Sequence, residues 1–292
     1  MSERILLAGC GNLGRRVAER LLARGDEVFA LRRHPPDGAG GGIRWIRGEL
    51  GRPDGLAGLP RGVTRLVYLP APGARDEAAY RTVFVDGMRH LFDALDAAAL
   101  RRVLFVSSSA VYGEHAGAWV DEDTPVAPPG FNGRVLLEAE RGLLDRAASM
   151  RVSPVVLRLA GLYGPGRLQL IERLRAGRVQ VPRDAAHWAN RIHVDDAAAA
   201  IVHLLDVPDA QPLYLGMDDT PLPLDVLYDH LARLLDVAPP PAGPAPVGVG
   251  SKRLRNARLR ASGFVPRWPD AREGYAALLG EPAPRRRDME TP

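Results

Sequence analysis

A single cysteine, Cys10, in a chain of 292 residues excludes an internal disulfide and a Cys-based metal site, and it suits a reducing compartment. Its place inside a glycine turn makes packing its expected role. No apolar run approaches the roughly 20 residues that a membrane-spanning helix needs, and the N-terminus lacks the pattern of a signal peptide. A soluble, cytoplasmic protein without a membrane partner is the expectation. His187, His193 and His203 have no Cys or carboxylate partners at ligand spacing, so no metal is expected. Arginines are scattered along the chain rather than interleaved with aromatics, and the Arg285-Arg286-Arg287 run sits in a Pro-rich end. The formal charge of +4 and the pI near 9.5 therefore point away from nucleic acid and toward an anionic cofactor and substrate. What the chain does hold is apolar bulk: 46% hydrophobic residues, enough for one large domain or one with a small lobe.

Arg4 to Ala8 is a short apolar run that leads into Gly9-Cys10-Gly11-Asn12-Leu13-Gly14, then into a helical pattern with Val17, Leu21 and Leu22 on one side. That grammar of strand, glycine turn and helix binds a dinucleotide. Gly9 takes the tight turn, Gly11 lets the backbone approach a pyrophosphate, Gly14 lets helix and strand pack, and Asn12 and Leu13 open the helix whose amides hold phosphate. A second strand runs from Glu27 to Leu31 and is followed by Arg32, Arg33 and His34. An NAD-selective site usually has an acid there for the ribose 2′-hydroxyl, whereas arginine pairs bidentately with a 2′-phosphate. NADP(H) is therefore favoured over NAD(H).

Beyond this unit, strands alternate with helices as a doubly wound α/β sheet requires. A Gly-rich loop, Asp37 to Gly42, precedes a short strand at Ile43 to Ile46 and Glu49, which is placed to contact adenine. Val63 to Leu69 is a fourth strand, and the turn after it sets Leu69, Pro70 and Ala71 against the cofactor's middle. A long helix is expected from about Glu77 to Ala99, with Val83, Met88, Leu91, Phe92 and Leu95 at helical spacing. A fifth strand, Arg102 to Val106, ends in Ser107-Ser108-Ser109. A helix over Gly133 to Met150 and a sixth strand, Ser153 to Leu159, complete the pattern. Asp195 and Asp196 open the helix of Ala197 to Leu205, where capping explains them better than paired-carboxylate catalysis does.

Four segments, taken in order, carry a family resemblance. They are the Gly9 turn, Val103-Leu104-Phe105-Val106-Ser107-Ser108-Ser109-Ala110-Val111-Tyr112-Gly113, Arg158-Leu159-Ala160-Gly161-Leu162-Tyr163-Gly164-Pro165-Gly166, and Asn190-Arg191-Ile192-His193-Val194-Asp195-Asp196. Near the C-terminus, Arg255 to Pro266 reads as a closing helix and a Gly-aromatic-x-Pro turn. Together these resemble the extended short-chain dehydrogenase/reductase family, the NAD-dependent epimerase/dehydratase group. The resemblance implies a Rossmann domain at 1–165, with 189–205 returning to it, and a substrate lobe formed by 166–188 and 206–292. It implies a nucleotide-linked sugar or similar substrate, and it makes Ser108 the group that polarises the reacting oxygen. By the same resemblance, Ser107 lies on the cofactor side and Ser109, Tyr163 and Asn190 on the substrate side. The dehydratase branch has two acids after the Ser108 position, and this chain has Ser109 and Ala110, which disfavours that mechanism.

The resemblance breaks at Pro128 to Glu140, where the family's Tyr-x-x-x-Lys pair is missing. With Glu138 as the family's helix glutamate, the Lys position falls on Arg134 and the Tyr position on Gly130; with Glu140, they fall on Leu136 and Asn132. This pattern looks like an atypical branch that keeps the cofactor and loses the pair. Arg134 can still bond the nicotinamide ribose, but with a pKa above about 12 it shuttles protons poorly. Tyr112, Tyr163 and His193 lie at the strand edge where ligands bind and are candidate substitutes; each also reads as a packed, hydrogen-bonded structural residue. Lys252 and Arg253, with Arg255, suit a diphosphate or carboxylate, or else a solvated basic turn after the Pro-rich linker Ala238 to Pro246. Two functions follow: an NADP(H)-dependent oxidoreductase or epimerase on a small anionic or nucleotide-sugar-like substrate, or a non-catalytic dinucleotide sensor or scaffold. In the resembling family the helices near 77–99 and 133–150 pair in homodimers; Leu91, Leu95, Leu137 and Leu144 suit that role or this chain's own sheet.

Overall fold

Leu6, Leu7, Val67, Leu104 and Leu157 are fully buried, as strand residues are when helices cover both faces of a parallel sheet. The computed structural model describes residues 2–36 and 41–280. Asp37 to Gly40 of the Gly-rich loop and the Arg285-Arg286-Arg287 run lie outside the described residues. The chain starts with β1 (Arg4–Ala8), α1 (Asn12–Ala23) and β2 (Glu27–Arg32). Next come β3 (Arg44–Arg47), β4 (Arg65–Tyr68), α2 (Glu77–Arg81), α3 (Gly87–Ala94) and β5 (Arg102–Ser108). These are followed by β6 (Trp119–Val120), α4 (Phe131–Met150), β7 (Ser153–Leu159), β8 (Gly161–Tyr163) and α5 (Gln169–Arg175). Then come β9 (Trp188–Ala189), β10 (Arg191–His193), α6 (Val194–Asp206), β11 (Leu213–Gly216), β12 (Leu222–Pro223) and α7 (Leu224–Leu234). The described chain ends with β13 (Arg253–Leu254), α8 (Ala257–Ala261) and α9 (Ala271–Leu278).

Seven strands form one parallel sheet in the order β11-β7-β5-β4-β1-β2-β3. The order reverses between β1 and β4, and doubly wound sheets bind ligands in the crevice that such a reversal opens at the strands' C-terminal ends. Val17, Leu21, Ile201 and Leu204 of α1 and α6 pack on one face; Leu91, Phe92 and Leu143 of α3 and α4 pack on the other. A third cluster, including Ile171, Leu174, Leu227, Leu231 and Tyr275, draws α5, α7 and α9 into a separate lobe. β11 lies in the main sheet although it follows Asp206, and it closes the edge beside β7.

The long helix expected from Glu77 to Ala99 is broken. A π-type turn, Thr82–Asp86, separates α2 from α3, and the helix stops at Ala94. The physical cause is Tyr68. Its hydroxyl donates to the Val83 carbonyl at 2.5 Å and draws that oxygen from the regular ladder, while Gly87 leaves room for the same hydroxyl. Leu91 and Leu95 both face the chain's own core.

Candidate active site

The glycine turn is held by contacts that leave no space for side chains. A Cβ on Gly9, whose φ is +94°, would lie 2.5 Å from Pro70 Cα, and one on Gly14 would lie 2.9 Å from the Gly9 carbonyl. Gly11 differs, because a Cβ there meets nothing within 4 Å and would project toward open space. Gly11 is also the N-cap of α1 and offers no side chain to its first amides, and the first turn carries no acid. Those amides need an acceptor from outside the helix, and a pyrophosphate is one. The cleft above them has a volume of about 720 Å³ and is lined by Gly9, Gly11, Asn12, Leu13, Gly14, Arg32, Arg33, Glu49, Leu69, Pro70 and Ala71. A nicotinamide dinucleotide fits this donor set: amides for the pyrophosphate, exposed Arg32 and Arg33 at the far end, and apolar Leu69, Val106 and Leu162 toward the sheet.

At Leu162 and Arg167 this cleft meets a second cavity of about 1120 Å³, to which both residues also contribute. Ser108, Ser109 and Tyr112 line it from the end of β5, Gly130, Phe131 and Asn132 from the start of α4, and Asn190 and Lys252 from the opposite side. Among the described residues its lining holds six cations, Arg75, Arg167, Arg173, Arg178, Arg191 and Lys252, and no carboxylate. Arg167 is half-buried, and its Nε has no hydrogen-bond partner among the described residues. Burial lowers its pKa with no carboxylate opposing. Its loop is tied to the cofactor helix, since Asn12 Nδ2 donates to the Pro165 carbonyl at 3.1 Å and Arg16 to the same oxygen at 3.3 Å.

A buried network joins β5, β7 and α4 behind Tyr112, which lines the second cavity. Arg158 pairs with Glu140 at 2.6 Å, Ser107 Oγ donates to Glu140 at 2.5 Å, and Arg158 also donates to the Tyr112 hydroxyl at 2.8 Å. The Tyr112 hydroxyl in turn donates to the Asp121 carbonyl at 2.9 Å. Burial pushes its pKa up against the opposing Arg158 charge. Glu138, by contrast, is exposed and pairs with Arg81 at 2.7 Å. Glu140 is therefore the inward glutamate of α4 and Glu138 the outward one. Asn132 lines the substrate cavity and Leu136 is buried in the core.

The remaining sequence-derived residues divide between the cavities and the scaffold. Ser107 lines neither cavity because its hydroxyl faces Glu140. Arg134 also lines neither; it is exposed, 3.9 Å from Glu77 and bonded to the Pro129 carbonyl. Tyr163 is buried and stacks on Tyr275 with centroids 4.3 Å apart. His193 Nδ1 accepts the Asp195 amide and so caps α6, and burial lowers its pKa. Asp195 pairs with Arg16 at 2.5 Å, while Asp196 accepts the amides of Arg267 and Trp268, fastening the C-terminal segment. Asn190 reaches the cavity, but its amide clamps the Lys252 carbonyl at 2.9 Å and the Leu254 amide at 2.8 Å. Arg253 lies between the rings of Trp119 and Trp188, 4.9 and 4.7 Å from their centroids, and lines neither cavity. Among the described residues no group of three or more His, Cys, Asp or Glu is placed to hold a metal ion, and no helix is long and apolar enough to cross a membrane.

Sequence reasoning missed Arg167 and His187. Arg167 directly follows the Gly164-Pro165-Gly166 turn, so that turn marks its position; His187 gives no local signal, because only the tertiary fold brings it to the cavity wall.

Comparison with known proteins agrees with this geometry. Residues 5–214 match the model of the NAD dependent epimerase/dehydratase family. The chain is 30% identical to a 3-diazoavenalumate denitrifying reductase of Streptomyces, covering 93% of this chain and 98% of that one. A solved structure of a putative NAD-dependent epimerase/dehydratase from Methylobacillus flagellatus superposes with a TM-score of 0.79 at 39% identity, covering 96% and 98% of the two chains. MoeE5 in complex with UDP-glucose and NAD superposes with the same TM-score, 0.79, at 26% identity over 94% and 97%. With its reversed strand order, its glycine cradle and a match over more than half its length, the chain belongs to the NAD-dependent epimerase/dehydratase family, and its named relatives include a reductase, an NAD(P)(+) dehydrogenase and an epimerase.

Proposed function

We propose that the protein is an NADP(H)-dependent oxidoreductase or epimerase acting on a small anionic or nucleotide-sugar-like substrate. One observation carries the substrate half of this reading: among the described residues, the cavity that meets the cofactor cleft is lined by six cations and no carboxylate. Such a lining attracts a carboxylate or phosphate and repels a cationic ligand. A relative that binds UDP-glucose together with NAD supports the same class. For the cofactor, exposed Arg32 and Arg33 beside the cleft favour the 2′-phosphate form.

When bound, the nicotinamide donates or accepts hydride. Around it this chain's residues orient and exclude. Ser108, whose Oγ already accepts the Ala110 amide at 3.2 Å, keeps its proton free to bond the reacting oxygen. Leu162 and Val106 keep water from the boundary, and Arg167 holds an anion there. Asn132 has the reach of a hydrogen-bonding group at the vacant tyrosine position but releases no proton near neutrality.

The test is NADPH oxidation against matched carbonyl compounds that differ in charge, such as oxo acids and keto-sugar nucleotides beside neutral ketones. Turnover confined to the anionic members, and falling as salt rises, is expected. Equal turnover of neutral and anionic members contradicts the reading. NADPH binding with no turnover across the panel favours the sensor.

A further inference from the structure

Among 39 lysine and arginine residues the chain contains one lysine, Lys252. It is 5% exposed and lines the substrate cavity. Its backbone is fixed from two sides. Asn190 clamps the Lys252 carbonyl and the Leu254 amide, and the Asn190 carbonyl accepts the Gly161 amide at the C-terminal end of β7. On the other side Gly250 lies so close to the Gly113 carbonyl that a Cβ would sit 2.4 Å from it, next to the loop that carries Ser108 and Tyr112. Both anchors belong to the sheet edge where Ser108 stands.

The Lys252 ammonium has one hydrogen bond among the described residues, to the Gly250 carbonyl at 3.2 Å. The titratable groups facing it are Glu114 and His187. Glu114 is engaged by the amides of Ser251 and Ala116, at 2.8 and 2.6 Å. His187 is buried, and its Nε2 has no hydrogen-bond partner among the described residues. A cation needed only to hold an anion would be served by arginine, the residue this chain uses everywhere else. Arginine cannot release a proton at working pH, and a buried lysine can.

We infer that the Lys252 ε-amine exchanges the proton with the substrate oxygen, in place of the tyrosine that α4 lacks. This rests on the oxidoreductase reading above. In the reducing direction a C–H bond forms at the carbonyl carbon with hydride from the nicotinamide. As the C=O π bond opens, the oxygen takes a proton from the Lys252 ammonium. The products are an alcohol and a neutral amine, which recovers its proton from water at the cavity mouth. In the oxidising direction the neutral amine removes the hydroxyl proton as hydride leaves. Burial, opposed only by Glu114, lowers the ammonium's pKa and so makes its proton easier to give up.

A chain with one lysine makes the test clean. Folded protein is treated with pyridoxal 5′-phosphate and borohydride across a pH series, and the adduct is located by peptide mass. Lys252 is expected to label with a midpoint below the ordinary lysine value of about 10.4. Lys252→Arg and Lys252→Ala should keep NADPH fluorescence binding and lose turnover by about 10²–10⁴-fold, and methylamine should restore part of the Lys252→Ala rate. Failure to label folded Lys252, wild-type turnover in Lys252→Arg, or no methylamine rescue overturns the assignment. Loss of NADPH binding by the wild-type protein overturns the cofactor reading instead, so the two failures are separable.

Discussion

At the cofactor cleft, Gly9, Gly11 and Gly14 lie within one turn of chain and their backbone makes the wall; at the substrate cavity, Ser108, Asn132, Arg167, Asn190, Lys252 and Tyr275 arrive from separate segments and their side chains make it. The first surface offers backbone amides, which a change of side chain other than to proline leaves in place. The second presents side chains, six of them cationic among its described lining, and each contributor can change independently. One region is a property of the fold and the other is a property of this sequence. The buried Arg158–Glu140 pair lines neither and touches the second through the Tyr112 hydroxyl.

Glu140→Ala breaks that pair and has the largest expected effect. Arg158 is 5% exposed, so removing its partner leaves a buried charge unpaired, at a cost of about 3–5 kcal/mol. Denaturant unfolding measures it, and a loss below about 1 kcal/mol shows that the pair does not hold α4 to β7. Gly9 and Gly11 sharpen the contrast inside the cleft. Gly9→Ala forces a left-handed residue against Pro70 and should destabilise the fold by about 1–3 kcal/mol. Gly11→Ala should leave the melting temperature unchanged and weaken NADPH by about tenfold, or 1.4 kcal/mol. If Gly11→Ala instead binds NADPH as tightly as the wild type, the amides are not the phosphate site.

Cys10 offers a smaller probe of the same cleft. Burial raises its thiol to about 11, so a thiol reagent should react negligibly at pH 8 and progressively faster as pH approaches that value. Rapid labelling at pH 8 means the turn opens to solvent. The smallest effect is expected at Arg134, exposed and 3.9 Å from its acid. Arg134→Ala should change stability by less than about 0.5 kcal/mol and leave NADPH affinity as it is. A clear loss of affinity would return the nicotinamide ribose to α4.

The difference between the regions also explains what could be read from the sequence. Spacing alone locates the glycine turn, because strand, turn and helix are contiguous and their geometry is local. The register of α4 cannot be read that way, since Glu138 and Glu140 are equally plausible until tertiary packing buries one and exposes the other. The break in the expected helix after Arg81 depends on a hydroxyl from β4, distant in sequence. Arg167 and His187 join the cavity for the same reason, through loops whose positions only the fold sets. Lys252 was legible as a basic residue near the substrate, whereas its burial was not.

The most direct test of the account is a fluorescence titration of the protein with NADPH and with NADH, repeated on Arg32→Ala/Arg33→Ala. The account predicts that both dinucleotides bind, that NADPH binds about tenfold more tightly, and that the double substitution removes the difference while sparing NADH. Absence of binding by either dinucleotide, or an unchanged NADPH preference in the double variant, would contradict it.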